Sequence, residues 1–176
     1  MTKIFIAGFG GQGILFTGKF IAYAGMIENR QVTWLPSYGA ESRGGTSNCH
    51  VIVSDTAIGS PVVLEPDVLI CMNLPSLDKF EETLTPGGHL FVNSSLVTKK
   101  TARTDVEAFY IPATELAIQN ELEGLANMII LGSVMQKNDI CKKETIEKAM
   151  RGVVSERRKD LIEKNIKAID IGMKHS

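Results

Sequence analysis

Three glycines, Gly8, Gly10 and Gly13, stand at the spacing G-x-G-x-x-G between a short apolar run, Lys3 to Ala7, and a helical pattern that opens at Ile14. A strand running through such a turn into a helix lets a ligand approach bare backbone, and the unpaired amides of the helix start point at it. Together with the positive end of the helix dipole, those amides favour a phosphate or another anion. The candidate contacts are Gly8, Gly10, Gly11, Gln12 and Gly13. A second group lies in Pro36 to Thr46, which holds Tyr38, Glu41, Arg43, Gly44 and Gly45. An Arg followed by two glycines can offer guanidinium and backbone N–H groups together to a phosphate or carboxylate.

Two familiar phosphate sites do not fit these residues. A dinucleotide site expects an acidic residue at the end of the second strand to hold the ribose. Here the run Val32 to Leu35 ends in Pro36-Ser37-Tyr38, Glu28 comes too early, and Glu41 falls several residues into the loop. Gly13 to Lys19 spells G-x-x-x-x-G-K, but Phe20 stands where Ser or Thr would hold magnesium, and the match lies within a helical pattern. A purely structural glycine turn is the plain alternative. Tyr38, Glu41 and Arg43 could make an acid/base site, yet there is no nucleophile elbow, no Cys/His pairing and no H-E-x-x-H. Cys49, Cys71 and Cys141 lie far apart without a C-x-x-C, and His50, His89 and His175 are equally scattered. That pattern builds neither a disulfide framework nor a zinc or iron–sulfur site, so any redox chemistry must come from a partner.

The elements that would position the glycine turn follow from periodicity. Ile14 to Ile27 repeats apolar and small residues at helical spacing, and Gln31 to Leu35 follows as a second strand. Strand, helix and strand at this spacing predict a βα unit with a parallel return and a right-handed crossover. Pro36 to Gly45 is then a loop beyond the strand ends. Thr46 to Ser54 is the next strand, with Asp55 to Gly59 turning into an antiparallel partner that makes the sheet mixed. Val68 to Met72 suits a buried strand, Pro75 to Leu84 a helix with Pro in its first turn, and His89 to Asn93 another strand. Ser94 to Asp105 is a polar surface connection, and Phe109 to Ile111 a last strand closed by Pro112. Helices are predicted over Thr114 to Gln119, Leu125 to Gln136, Lys142 to Val154 and Glu156 to Met173, the last with Leu161, Ile162, Ile166, Ile169 and Met173 on one stripe. The expected fold is α/β, a three-layer Rossmann-like domain with a mostly parallel, mixed sheet and C-terminal helices. Residues 1–176 form a single domain in this reading.

The 176 residues are 44% hydrophobic and 22% charged with a net charge of −1, the profile of a soluble globular chain with no overall field to gather nucleic acid. Residues 140–176 hold ten Lys and Arg against six Asp and Glu, which fits a solvated helix face. No apolar run reaches the roughly 20 residues of a membrane span and no signal-type core opens the chain, so neither membrane nor nucleic acid is an expected partner and the location is cytoplasmic.

Gly10-Gly11-Gln12-Gly13 after a first strand, Pro36 to Cys49 with its Ser42-Arg43-Gly44-Gly45-Thr46, and Asn73-Leu74-Pro75-Ser76-Leu77-Asp78-Lys79-Phe80 closely resemble the gamma subunit of the 2-oxoacid:ferredoxin oxidoreductases. Ser54-Asp55, Ile58-Gly59-Ser60-Pro61, Pro86-Gly87-Gly88 and Asn127-Met128 extend the resemblance over nearly the whole chain. The Arg43-Gly44-Gly45-Thr46 form looks more like the 2-oxoglutarate and 2-oxoisovalerate members than the pyruvate members. The resemblance implies a multi-subunit enzyme that turns a 2-oxoacid and coenzyme A into acyl-CoA and carbon dioxide and passes electrons to ferredoxin. Thiamine diphosphate, Mg2+ and [4Fe-4S] clusters are then expected on alpha, beta and, where present, ferredoxin-like delta subunits, with no cofactor bound by this chain alone. Assembly and engagement of coenzyme A are its implied share, through Gly8, Gly10 to Gly13, Tyr38, Glu41, Arg43, Gly44 and Gly45. The alternatives are a non-catalytic structural subunit and a stand-alone nucleotide- or anion-binding module. Surfaces meant for sister chains could also pair the isolated chain with itself as a homo-oligomer.

Overall fold

The computed structural model describes residues 1–38 and 45–175, the side chains of Tyr38 and Glu156 apart. Six strands, β1 (Thr2–Phe9), β2 (Gln31–Tyr38), β3 (Thr46–Ser54), β4 (Val68–Cys71), β5 (His89–Asn93) and β6 (Glu107–Ile111), form one sheet in the order β2-β3-β1-β4-β5-β6. β1, β4, β5 and β6 run parallel, while β3 lies antiparallel between β1 and β2. The mixed α/β sheet is as the sequence predicts, but two of its connections differ.

The antiparallel partner of β3 is the preceding strand β2, not a strand after Gly59, and β2 and β1 do not touch because β3 intervenes. Period-two patterning fixes which face a residue takes and is silent on which strand lies next to it. Pro36, Ser37 and Tyr38 are accordingly strand, paired with Cys49, Asn48 and Ser47. β2 is the sheet edge, where a proline costs no ladder bond on its open side.

Alternation divides the core in two. Ile4, Ile6, Val51, Val53, Val68, Ile70 and Phe91 face one side, against α1 (Ile14–Ile27), α3 (Ala113–Gln119), α4 (Ala126–Lys137), α5 (Lys143–Val153) and α6 (Lys159–Met173). Phe5, Ala7, Leu69, Cys71, Leu90 and Val92 face the other, against α2 (Leu74–Phe80). The small residues of α1 let it lie close: a methyl group added to Gly25 would stand 2.6 Å from Val32 Cγ1. The stripe on α6 is intramolecular core, with Ile162 and Ile169 buried in the first cluster and Ile169 set against Gly132 of α4. Its helix starts later than predicted, after a 3-10 turn at Glu156–Arg158. Asn73 caps α2 by accepting from the Ser76 N–H at 2.9 Å, and Pro75 sits in the first turn, where no amide is needed.

Residues 94–105 are more than a surface connection. Val97 is 1% exposed and plugs the second core, Lys100 stacks its ammonium 3.4 Å from the Tyr110 ring centre, and Arg103 donates to the carbonyls of Glu81 and Leu84. The polar sequence hid one buried anchor, because a single apolar residue carries no periodicity.

His50, on the same face, packs edge-on to Phe5 and accepts from the Val63 N–H at 3.0 Å, with Lys79 the charged group lining the adjoining groove. Burial holds its pKa below the ordinary 6.5, against a smaller upward pull from the Val63 carbonyl. The unfolded chain therefore takes up this proton first. The contribution to stability is present above pH 6.5 and is lost as pH falls through the lowered folded value. The urea midpoint should fall more steeply between pH 7 and 5 for the native chain than for His50→Gln, and equal slopes would remove His50 from the account.

Candidate functional site

The glycine turn sits at the C-terminal end of the parallel strands. Gly8 belongs to β1, opposite Ser47, and an added methyl there would meet Gln12 Oε1 at 2.6 Å and Ile14 Cδ1 at 2.7 Å. Gly11 (φ 92°) and Gly13 (φ 74°) take the left-handed conformation that glycine accepts without strain. The Gln12 N–H closes the turn on the Phe9 carbonyl at 3.2 Å. Gly13 then caps α1, and its carbonyl accepts from both Thr17 N and Thr17 Oγ1 at 3.0 Å. Gly10 differs from these. Its φ is unexceptional, and a methyl added there would meet no described atom within 4 Å. The space above Gly10 is what a ligand or a second chain approaching the backbone would use.

Gln12 ties the turn to the neighbouring strand. Its Oε1 accepts from Phe9 N at 2.7 Å and from Asn73 Nδ2 at 3.3 Å, while its Nε2 donates to the Met72 carbonyl at 3.3 Å. Chain leaving β1 passes to the α1 face and chain leaving β4 to the α2 face, so the two strands diverge here. Such a divergence opens a crevice in which sheets of this kind bind ligands.

That crevice is present, with a volume of about 330 Å³. Gly11 and Gln12 form one wall, Met72 and Asn93 the floor at the ends of β4 and β5, and Thr114, Ala126 and Asn127 the starts of α3 and α4. Leu96 and Ile118, 51% and 58% exposed, stand at its mouth. Asn93 is fully buried, donating to Thr114 Oγ1 at 2.8 Å. Asn127 donates from Nδ2 to the Gly13 carbonyl at 3.2 Å and to Thr17 Oγ1 at 3.0 Å. Its amide packs so tightly that a methyl on Gly13 would overlap it. Glu123 is the one ionisable side chain among the lining residues.

The described part of the second predicted group lies beside the first. Gly10 N–H donates to the Gly45 carbonyl at 3.2 Å, and the Tyr38 backbone pairs with Ser47, the residue that also faces Gly8. Glu41, Arg43 and Gly44 lie outside the described residues. Asn93, Thr114 and Asn127 escape sequence reasoning as site residues. Asn127 is a lone polar residue inside an apolar run, and that interruption is its one signal; Asn93 opens the polar stretch Asn93-Ser94-Ser95 and Thr114 the pair Thr114-Glu115, where nothing sets them apart.

The cysteines are poor metal ligands, since a thiol must lose its proton to bind. Burial pushes Cys49 up to about 12; burial, then Glu28 and Asp139, push Cys141 up to about 12. Cys71 is raised as well, by burial and then by Glu81. Among the described residues no three His, Cys, Asp or Glu side chains gather as a metal site.

Residues 3–175 match the family described as pyruvate ferredoxin/flavodoxin oxidoreductase. The chain belongs to this family. It is 36% identical to the 2-oxoglutarate synthase subunit KorC of Methanocaldococcus jannaschii, over 97% of this chain and 91% of that protein. It is 42% identical over 133 residues to the ketoisovalerate oxidoreductase subunit VorA of Methanothermobacter thermautotrophicus, covering 76% of this chain but only 28% of VorA. Among solved structures, the gamma subunit of a keto/oxoacid ferredoxin oxidoreductase from Geobacter sulfurreducens PCA superposes with a TM-score of 0.84 at 30% identity, covering 99% of this chain and 98% of that one. The 2-oxoglutarate:ferredoxin oxidoreductase from Magnetococcus marinus, with 2-oxoglutarate, coenzyme A and succinyl-CoA bound, shares the fold at a TM-score of 0.89 and 22% identity, covering 98% of this chain and 30% of that one. With KorC and the Geobacter subunit matched nearly end to end, the chain is a gamma-type subunit of the 2-oxoacid:ferredoxin oxidoreductases. In the longer family members the same unit is about a third of a polypeptide.

Proposed function

We propose that this gamma-type subunit works in a cytoplasmic complex that oxidatively decarboxylates 2-oxoglutarate or a branched-chain 2-oxoacid with coenzyme A, and that its glycine turn engages coenzyme A at a cleft shared with a sister subunit. The observation that carries the reading is the space over Gly10, which no described residue fills, beside the start of α1 at the point where β1 and β4 diverge. Backbone amides and the α1 dipole favour phosphate there, and Gly45, two residues after Arg43 in the sequence, accepts from the Gly10 N–H of the same turn. Residues 1–176 act as one domain. Thiamine diphosphate, Mg2+ and [4Fe-4S] clusters are assigned to alpha, beta and, where present, delta partners, with ferredoxin as acceptor. Thiamine supplies the carbanion chemistry, and this chain supplies binding and orientation. Among the described residues no helix is long and apolar enough to cross a membrane.

The test is anaerobic purification of the complex and an assay of coenzyme A-dependent acceptor reduction with 2-oxoglutarate and 2-oxoisovalerate. Losing a charge-assisted phosphate contact should raise the apparent KM for coenzyme A by about tenfold in Arg43→Ala, with the 2-oxoacid KM unchanged. An unchanged coenzyme A constant in a complex that assembles poorly would give Arg43 to the subunit interface instead.

A further inference from the structure

We propose that the groove on the α2 face of the sheet binds a small monocarboxylate, with its charge set on Lys79 and its short apolar body over Phe5, Phe80 and Leu64. The groove shares no lining residue with the crevice below the glycine turn, so the proposal stands apart from the engagement of coenzyme A.

The floor is a run of touching rings. His50 meets Phe5 edge-on with 4.9 Å between ring centres, Phe5 meets Phe80 at 4.6 Å, and the Lys79 ammonium lies 5.2 Å from the Phe80 ring centre. Leu64, which also lines the groove, is 77% exposed, and the apolar body of a ligand would take it out of water. At about 340 Å³ the space suits a small molecule and not a large cofactor.

The charge on Lys79 is left uncompensated for an identifiable reason. Asp78, the carboxylate next to it in sequence, is bonded to Lys99 at 2.7 Å, and Lys99 takes Glu81 as well at 2.7 Å. Among the described residues no carboxylate lines the groove, and Glu65 and Glu82 belong to a separate hollow that adjoins it at Leu64 and Thr83. One cation matches one carboxylate, and a second negative charge would lie unpaired on the rings. His50 adds a neutral donor. A backbone N–H can only donate, so the Val63 N–H makes His50 Nδ1 an acceptor, and the neutral ring carries its proton on Nε2. That second N–H has no acceptor among the described residues and is available to the ligand.

The test uses the purified full chain and the nuclear magnetic resonance signals of its ring nitrogens, with isocaproate as probe, isocaproamide as its neutral counterpart and glutarate as a dicarboxylate. Isocaproate should shift the His50 signal to saturation with a Kd of about 1 mM, an ordinary affinity for so small a ligand, and leave His89 and His175 where they are. Isocaproamide and glutarate should each bind at least about tenfold more weakly. Lys79→Gln, at an exposed position, should weaken isocaproate about tenfold and change isocaproamide by less than about twofold. Equal affinity for isocaproate and its amide, an unaltered isocaproate constant in Lys79→Gln, or a His50 signal that never saturates would each overturn the proposal.

Discussion

Gly132→Val is expected to destabilise the chain by about 3 kcal/mol or more, because overpacking against rigid backbone leaves nothing to yield. α4 and α6 cross so closely that a methyl group built on Gly132 overlaps the Ile169 carbonyl and lies 2.9 Å from Met173 N. The contact is reciprocal, since a methyl on Gly172 would overlap the Ile129 carbonyl and sit 3.0 Å from Gly132 Cα. Ser133 Oγ donates to the Gly172 carbonyl at 2.9 Å across the same crossing. A side chain here must drive the helices apart, breaking that bond and uncovering Ile129, Ala168 and Ile169, all fully buried. α4 also carries Asn127 into the crevice, so the site would loosen with the crossing. Urea denaturation of the purified chain measures the loss. A change below about 1 kcal/mol would mean that α6 can slide away and that this packing does not hold α4 in place.

What the sequence revealed depended on whether a feature had its own local pattern. The glycine turn did: Gly11 and Gly13 occupy left-handed positions, Gly8 makes room for Gln12 and Ile14, and the following helix starts at Ile14 as predicted. The placement of β3 between β1 and β2 did not, because pairing is a choice among distant segments that alternate alike. Pro36 misled for a related reason. Proline signals a loop unless the strand is an edge, and edges are defined only once the sheet is assembled. Asn127 was visible only as part of a family resemblance, its role depending on Gly13, 114 residues away in sequence.

The same dependence makes Gln12 the most informative side chain of the turn. Gln12→Ala leaves the Phe9 N–H and the Met72 carbonyl without their present partner and frees Asn73 Nδ2, which should cost about 1–3 kcal/mol of stability. Its larger effect falls on function. The side chain fixes the end of β1 against the end of β4, and those two ends form adjacent walls of the crevice. Under the proposed role, a shift of about 1 Å between them misaligns coenzyme A, and misplacement of that size costs about a hundredfold in rate. In the assembled enzyme kcat/KM for coenzyme A should therefore fall about a hundredfold, with the KM of the 2-oxoacid unchanged. Gln12→Glu separates the two contributions. It keeps the acceptor for the Phe9 N–H but faces the Met72 carbonyl with an oxygen in place of a donor, so it should restore part of the stability and little of the rate. Steady-state kinetics alongside urea denaturation of each variant distinguishes these outcomes. If coenzyme A kinetics recover in step with stability, Gln12 serves only the fold, and the turn is scaffold rather than site.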